Sequence, residues 1–315
     1  MFNEEHISYS PVIVFVYNRP SHTKRTLETL NNLPESEYID LFIFSDAQKN
    51  EKALDNVNKV REYIYEFQKQ VSRFKKTTII SSEHNKGLAK SIIEGVTEII
   101  NKYGSVIVVE DDLIVSKDFL RYMNGALSYY KNNDLIWAIS GYTFKMKALD
   151  NLKSDVYFSM RACSWGWATW VNRWNSIDWD MKDYKTIKYD PVKRIRFAKW
   201  GRDLPYMLDA CYYKKINSWA IRWCYNAFMQ NKYTVYPKES RVMSIGTDGS
   251  GTNFKSVTHT YETVLYTGKD DCLFVEPFVD ANLRKEFRTR YMTISQKLHS
   301  MVKWTYYKMF HSDIQ

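Results

Sequence analysis

The 315 residues are enough for one large α/β domain or two small ones, and an apolar fraction of 44% supports a sizeable core. Net charge is +9, yet no nucleic-acid-binding motif accompanies it, so no nucleic acid partner is expected; an anionic membrane or a phosphorylated substrate ranks ahead. No run of about 18 apolar residues is present to span a bilayer.

The segment after Met1 carries acids where a signal peptide has basic and apolar regions, so a cytoplasmic protein is expected. Residues 12–16 (VIVFV) read as a strand, followed by the turn Asn18, Arg19, Pro20 and Ser21, with Ser21 placed to cap a helix through Asn31. Residues 41–44 form a second strand ending at Ser45 and Asp46, and a Lys- and Glu-rich amphipathic helix follows over residues 51–70. A third strand at residues 77–80 leads through His84, Lys86 and Gly87 into another helix. The fourth, residues 106–109, runs directly into Glu110, Asp111 and Asp112; Ser116 then reads as the N-cap of the helix beginning KDFLRYM. A further strand covers residues 135–140. This alternation predicts an α/β fold with a mostly parallel sheet covered on both faces.

Each strand end carries polar or charged residues: Arg19, Asp46, Lys86, then the acidic triplet. In open α/β sheets ligands bind outside the carboxyl ends of strands, so these ends outline a nucleotide-sized site. Adjacent carboxylates repel and need a cation, donor groups or water. A divalent Mg²⁺ or Mn²⁺ carrying a diphosphate meets that need; a solvated turn that favours the next helix N-terminus is the alternative.

The second half is different. Eight of the ten tryptophans lie between Trp165 and Trp223, which suits either core packing or a wall against sugar rings. Residues 236–253 contain Gly246, Gly249, Gly251 and Arg241, a set able to receive phosphate oxygens as well as to form a plain loop. The four cysteines (Cys163, Cys211, Cys224, Cys272) are scattered and read as buried thiols. From Ala281 onward seven Lys or Arg residues face two acids, and residues 293–310 have helical apolar spacing; such a basic helix either docks on the domain or lies on an anionic membrane.

Taken in order, VFVYNRPSHTKRTLETL, FIFSDAQ, VVEDDLIVSKDFLRYM, SWGWATW and YPKESRVMSIGTDGSG resemble glycosyltransferases of the GT-A fold over about residues 10–255. Within that fold they are similar to N-acetylglucosaminyltransferase I and to bacterial surface-polysaccharide (capsule and O-antigen) enzymes. The resemblance implies a Rossmann-like GT-A domain at residues 1–270, with a donor half to about residue 140 and an acceptor half beyond, then a basic helical extension at residues 271–315. It implies transfer from a nucleotide-diphosphate sugar, a UDP-sugar by preference, to a glycan or lipid-linked glycan with inversion, Mn²⁺ or Mg²⁺ as cofactor, and peripheral attachment at the inner face of the plasma membrane. It places Asp112 on the metal, Glu110 and Asp111 against the donor, Arg19, Asp46 and Lys86 around the nucleotide, and Arg241 in the closing loop. Trp165, Trp167 and Trp219 become acceptor candidates, and His259 either a metal ligand or a surface residue.

One departure concerns the base. The acidic pair that precedes a Trp in the family corresponds to Asn217 and Ser218, neither able to accept the acceptor's proton at ordinary pH. Asp203, at a helix start, and Asp209 are the candidates in their place. Two other functions stay open: a nucleotidyltransferase, although VYNRPSH lacks the expected glycine, and an inactive carbohydrate-binding protein on the same scaffold.

Overall fold

Successive side chains on a strand point to opposite faces of a sheet, and the apolar strands of this chain exploit that to build two cores. Val12, Val14, Val16, Leu41, Ile43, Ile107 and Val109 belong to one; Ile13, Phe15, Phe42, Val106 and Val108 to the other. The computed structural model describes residues 9–248, 261–268, 271–292 and 294–310.

Strand β1 (Val12–Val16) leads to helix α1 (Pro20–Asn31), and β2 (Asp40–Ser45) to α2 (Glu51–Glu66). Then come β3 (Lys76–Ser81), α3 (Leu88–Tyr103), β4 (Ser105–Glu110), the short β5 (Leu113–Val115), α4 (Phe119–Tyr129) and β6 (Ile136–Ser140). The second half contains β7 (Val156–Ser159), β8 (Trp167–Trp170) and the single turns α5 (Val171–Trp174) and α6 (Lys185–Lys188). It continues with α7 (Pro191–Ala198), α8 (Leu204–Tyr212), α9 (Trp219–Met229), β9 (Tyr233–Pro237) and β10 (Val242–Ser244), and ends in α10 (Ala281–Arg290) and α11 (Ile294–Phe310).

Local chemistry sets several boundaries. Pro20 opens α1, where its missing N–H costs nothing, so Arg19 and not Ser21 holds the cap position. Asn50 caps α2 by accepting from Ala53 N–H at 3.2 Å. Gly104 ends α3 with φ +81°, a conformation open to glycine without steric cost. Ser116 does not cap α4: its hydroxyl donates to Asp118, which takes the N-cap position itself.

Eight strands form one sheet in the order β3-β2-β1-β4-β8-β6-β9-β7. The first four are mutually parallel, β8 runs antiparallel between β4 and β6, β9 is parallel to β6, and β7 closes the edge antiparallel. Strand order reverses at β1, which lies between β2 and β4, so their carboxyl ends form the switch-point crevice where α/β sheets take ligands. β5 and β10 form a separate antiparallel ribbon beside that crevice.

The tryptophan-rich segment is mainly core. Trp167 stacks on Trp174 at 5.6 Å and meets Trp219 at 5.3 Å and Trp223 at 4.3 Å, all four rings buried. Trp167 and Trp219 are therefore corrected from acceptor contacts to packing residues, because enclosed rings cannot face a sugar. The expected extension at residues 271–315 is also tied in from its start: Phe274, Leu283 and Phe287 join the same core as β1 and β2.

Gly166 shows why the W-G-W element needs its glycine. Its φ is +59°, and an added Cβ would lie 2.6 Å from Val242 Cγ2. Its carbonyl receives the Gly141 N–H at 2.6 Å, drawing β6, β8 and β10 together. Gly166→Ala is expected to lower stability by about 2 kcal/mol through combined strain and overlap; a urea-unfolding midpoint unchanged from wild type would refute this packing account.

Candidate active site

The acidic triplet sits where β4 leaves the sheet, with Glu110 in register with Phe15 of β1. The turn that follows β1 returns Arg19 across this edge. Its Nη2 donates to Asp111 Oδ1 and lies 3.0 Å from Asp112 Oδ2, so one guanidinium bridges two carboxylates. Thr26 on α1 locks the triplet's backbone: its hydroxyl donates to the Asp111 carbonyl at 2.9 Å and accepts from Leu113 N–H at 3.2 Å. The segment after β10 closes over the same point. Ile245 N–H donates to the Asp112 carbonyl at 2.8 Å, and His22 Nε2 lies 3.2 Å from both the Ile245 carbonyl and Asp248 Oδ2. A Cβ on Gly246 would overlap the Asp112 carboxylate and approach Arg19 Nη1 to 2.9 Å, so a side chain there would displace both charged groups.

Charge is unbalanced here, with three adjacent acids facing one arginine. Burial, reinforced by Asp112 and Asp111, pushes the Glu110 carboxyl up to about 8. Burial pulls the Arg19 guanidinium down, but the charges of Asp111 and Asp112 outweigh it and hold the group more firmly protonated than in water. Asp112 is the more accessible of the paired aspartates, its side chain 15% exposed against 7% for Asp111.

The remaining candidates divide. Asp46 adjoins the crevice, but its carboxylate accepts from the N–H groups of Ala47, Lys86 and Gly87, each at 2.9 Å, and from Asn85 Nδ2 at 3.1 Å. Its immediate task is to hold the loop before α3. Lys86 Nζ pairs with Glu94 at 2.8 Å on the exposed face of α3. Arg241 requires a correction: it is buried, bonded through Nε to Asp118 Oδ2 at 3.1 Å and stacked under Tyr266 at 3.8 Å, so it pins β10 instead of meeting phosphate from a closing loop. His259 lies outside the described residues. Trp165 is half-buried and packs edge-on to Tyr142 at 4.6 Å and Tyr261 at 5.6 Å, the one acceptor candidate with open surface.

Neither candidate base presents a free carboxylate. Asp203 receives Arg161 through both oxygens, at 2.8 and 2.9 Å, with Tyr291 lying over the guanidinium at 3.6 Å. Asp209 is 0% exposed and binds Arg194 at 2.9 and 2.7 Å and Tyr184 Oη at 2.7 Å. Asn217 and Ser218 serve the helix instead: Ser218 caps α9, and Asn217 Oδ1 accepts from Arg222. Among the triplet's helpers, Gly246 is expected from the sequence only as part of a flexible or phosphate-receiving loop, and His22 and Thr26 are not singled out there at all. His22 and Thr26 lie four apart on α1, a same-face spacing that is the one sequence signal for them.

The family model of GNT-I matches residues 3–181, more than half of the chain and all of this crevice apart from the closing segment. The chain belongs to the GNT-I family. Its sheet, with an acidic triplet at the switch point, is the GT-A arrangement expected from the motifs. Among solved structures, the chain is similar to TarS residues 1–349 of S. aureus, with 9% identity, TM-score 0.45, and coverage of 75% of this chain and 60% of that one. It is also similar to the galactosyltransferase LgtC crystallised with donor and acceptor sugar analogs, with 9% identity, TM-score 0.36 and 72% coverage of each chain. This GNT-I family member thus spans 60% of the TarS fragment's length, less than two thirds of it. No curated protein matches it.

Among the described residues no group of three or more His, Cys, Asp or Glu side chains converges on one point. A divalent ion still fits, because Mg²⁺ is ordinarily held by one or two carboxylates plus substrate phosphates and not by an all-protein cage. Uncompensated acid charge beside a partly open Asp112 supplies that kind of partial site.

The Asp209 cluster decides between a structural and a catalytic role. Asp209→Asn is expected to cost about 3 kcal/mol, since it leaves Arg194 without its charge partner in a largely enclosed site; full stability with lost transfer would restore Asp209 as a base.

Proposed function

We propose that the protein is a metal-dependent glycosyltransferase that moves a sugar from a nucleotide-diphosphate sugar, a UDP-sugar by preference, to a glycan acceptor. The observation that carries this reading is the switch-point cluster of Arg19, Asp111 and Asp112 covered by the Ile245–Gly246 backbone. Asp112 would hold Mn²⁺ or Mg²⁺, which when bound offsets charge developing on a departing diphosphate. Arg19 fixes the orientation of both aspartates, while Asp111 and Glu110 line the donor side. The backbone over Gly246 excludes water from this edge and orders the donor. Inversion and a place in bacterial surface-polysaccharide synthesis rest on the motif resemblance. Trp165 is retained as an acceptor platform, since it alone of the three candidate rings has surface to offer.

Attachment to an anionic membrane is part of the proposal, with α11 as the contact. Trp304 docks this helix against Tyr213, with rings stacked at 6.2 Å. Leu298, Met301 and Val302 point outward at 53%, 46% and 69% exposure, an i, i+3, i+4 stripe on a basic segment. Among the described residues no helix is long and apolar enough to cross a membrane.

With a panel of UDP-, GDP-, CMP- and dTDP-sugars and Mn²⁺, wild type is expected to release sugar from one of them. Asp112→Asn should reduce that turnover by roughly two orders of magnitude or more at unchanged fold. Turnover with no donor, in the presence or absence of metal, would favour the binding-protein reading. For the tail, Leu298→Glu combined with Val302→Glu should reduce co-sedimentation with phosphatidylglycerol vesicles several-fold; equal sedimentation of the two proteins would sink the membrane contact.

A further inference from the structure

A cavity of about 870 Å³ opens between the end of α8, the start of α9 and the segment around Trp179, apart from the acidic triplet. Its lining includes Lys182, Lys185, Lys214, Lys215 and Arg222 against one acid, Asp180, and Trp179 and Tyr212 add aromatic faces. Five cations line one concavity against a single acid, a positive surface suited to an anionic occupant. Lys185 and Lys215 already have interactions of their own, and the cations that matter here are Arg222 and Lys214.

Two features separate this cavity from a solvated basic face. Arg222 is held rigidly by neutral oxygens: Nε donates to the Ser218 carbonyl at 3.2 Å, Nη1 to the Trp179 carbonyl at 3.2 Å and Nη2 to Asn217 Oδ1 at 2.9 Å. The fork is fixed in place while its charge stays uncompensated by those partners, which is the state suited to receiving phosphate oxygens. Backbone strain also collects here. Among the described residues only Met181, Lys214 and Asn231 are non-glycine residues with positive φ, and Met181 and Lys214, both at 55°, line this cavity. Lys214 stands just past α8, the position where glycine ordinarily ends a helix. A lysine in that conformation carries a backbone cost that glycine would avoid, and it lines the cavity.

Position connects the cavity to the acceptor half. Asn217 leads into α9, whose first ring, Trp219, packs on Trp167 at 5.3 Å, and Trp167 stands opposite Val108, two residues before Glu110.

We propose that this cavity binds the phosphate or diphosphate group of a phosphorylated acceptor glycan. Arg222 and Lys214 take the phosphate oxygens, and Trp179 and Tyr212 line the adjoining sugar. The assignment of the ligand to the acceptor rests on the glycosyltransferase reading above, but anion binding itself does not. One chemistry covers two sources, a lipid-linked diphosphate and a phosphate on a soluble glycan.

The test uses the full chain in EDTA, which removes metal-assisted binding at the triplet, with inorganic pyrophosphate titrated calorimetrically. Saturable binding is expected, retained in Asp112→Asn and weakened at least tenfold in both Arg222→Gln and Lys214→Gly. Lys214→Gly also guards against a folding artefact, because glycine suits the positive φ and should raise the unfolding temperature while binding falls. Pyrophosphate binding that is absent, or equal in wild type and both variants, overturns the proposal. Phosphatidylcholine vesicles doped with a prenyl diphosphate then separate the sources: recruitment lost in Lys214→Gly assigns a lipid-linked acceptor, and binding of free pyrophosphate alone assigns a soluble one. If anion binding holds while no nucleotide sugar is turned over, the donor reading fails and the cavity stands.

Discussion

Three carboxylates at the end of one strand repel one another, and a single arginine from the neighbouring strand's turn bridges two of them, Asp111 and Asp112. The Arg19 bridge to Asp111 and Asp112 needs β1 and β4 side by side, in parallel and in register, so the strand order is a condition of the site. It also leaves charge over. Burial first, and the neighbouring aspartates second, raise Glu110 to about 8, while the Arg19 charge acts only as a smaller opposing influence. In the proposed reaction a donor diphosphate with its divalent ion would complete this arrangement.

Much of the second half keeps that edge in place. The enclosed rings of Trp167, Trp174, Trp219 and Trp223 form a rigid layer under β8, the strand paired with β4. Gly141 and Gly166 allow β10 to approach so that the backbone following it reaches Asp112. Arg241 and Asp118, both buried, tie β10 to the start of α4. Residues that read as ligand contacts thus support the backbone that forms the site. Aromatic and guanidinium groups serve both purposes equally well, and burial decides which.

The basic second half acquires a different meaning in three dimensions. Part of it lines the cavity by Arg222, which brings the ends of α8 and α9 together with the segment around Trp179, residues that the linear order keeps apart.

The apolar runs at residues 12–16, 41–44 and 106–109, each closed by polar residues, determined the parallel half of the sheet and the location of its crevice. Strand period and strand-end chemistry are local properties, readable from neighbouring residues. The acidic triplet was legible for the same reason. Only the tertiary structure decided which distant partner each charge meets. It gave Arg161 to Asp203 and Arg194 to Asp209, turned Asp46 into the anchor of the loop before α3, enclosed Trp167 and Trp219, and set Gly246 upon Asp112. Those pairings join residues from 15 to more than a hundred positions apart, and the free energy of a buried charge depends on its neighbours in space, which sequence order does not specify.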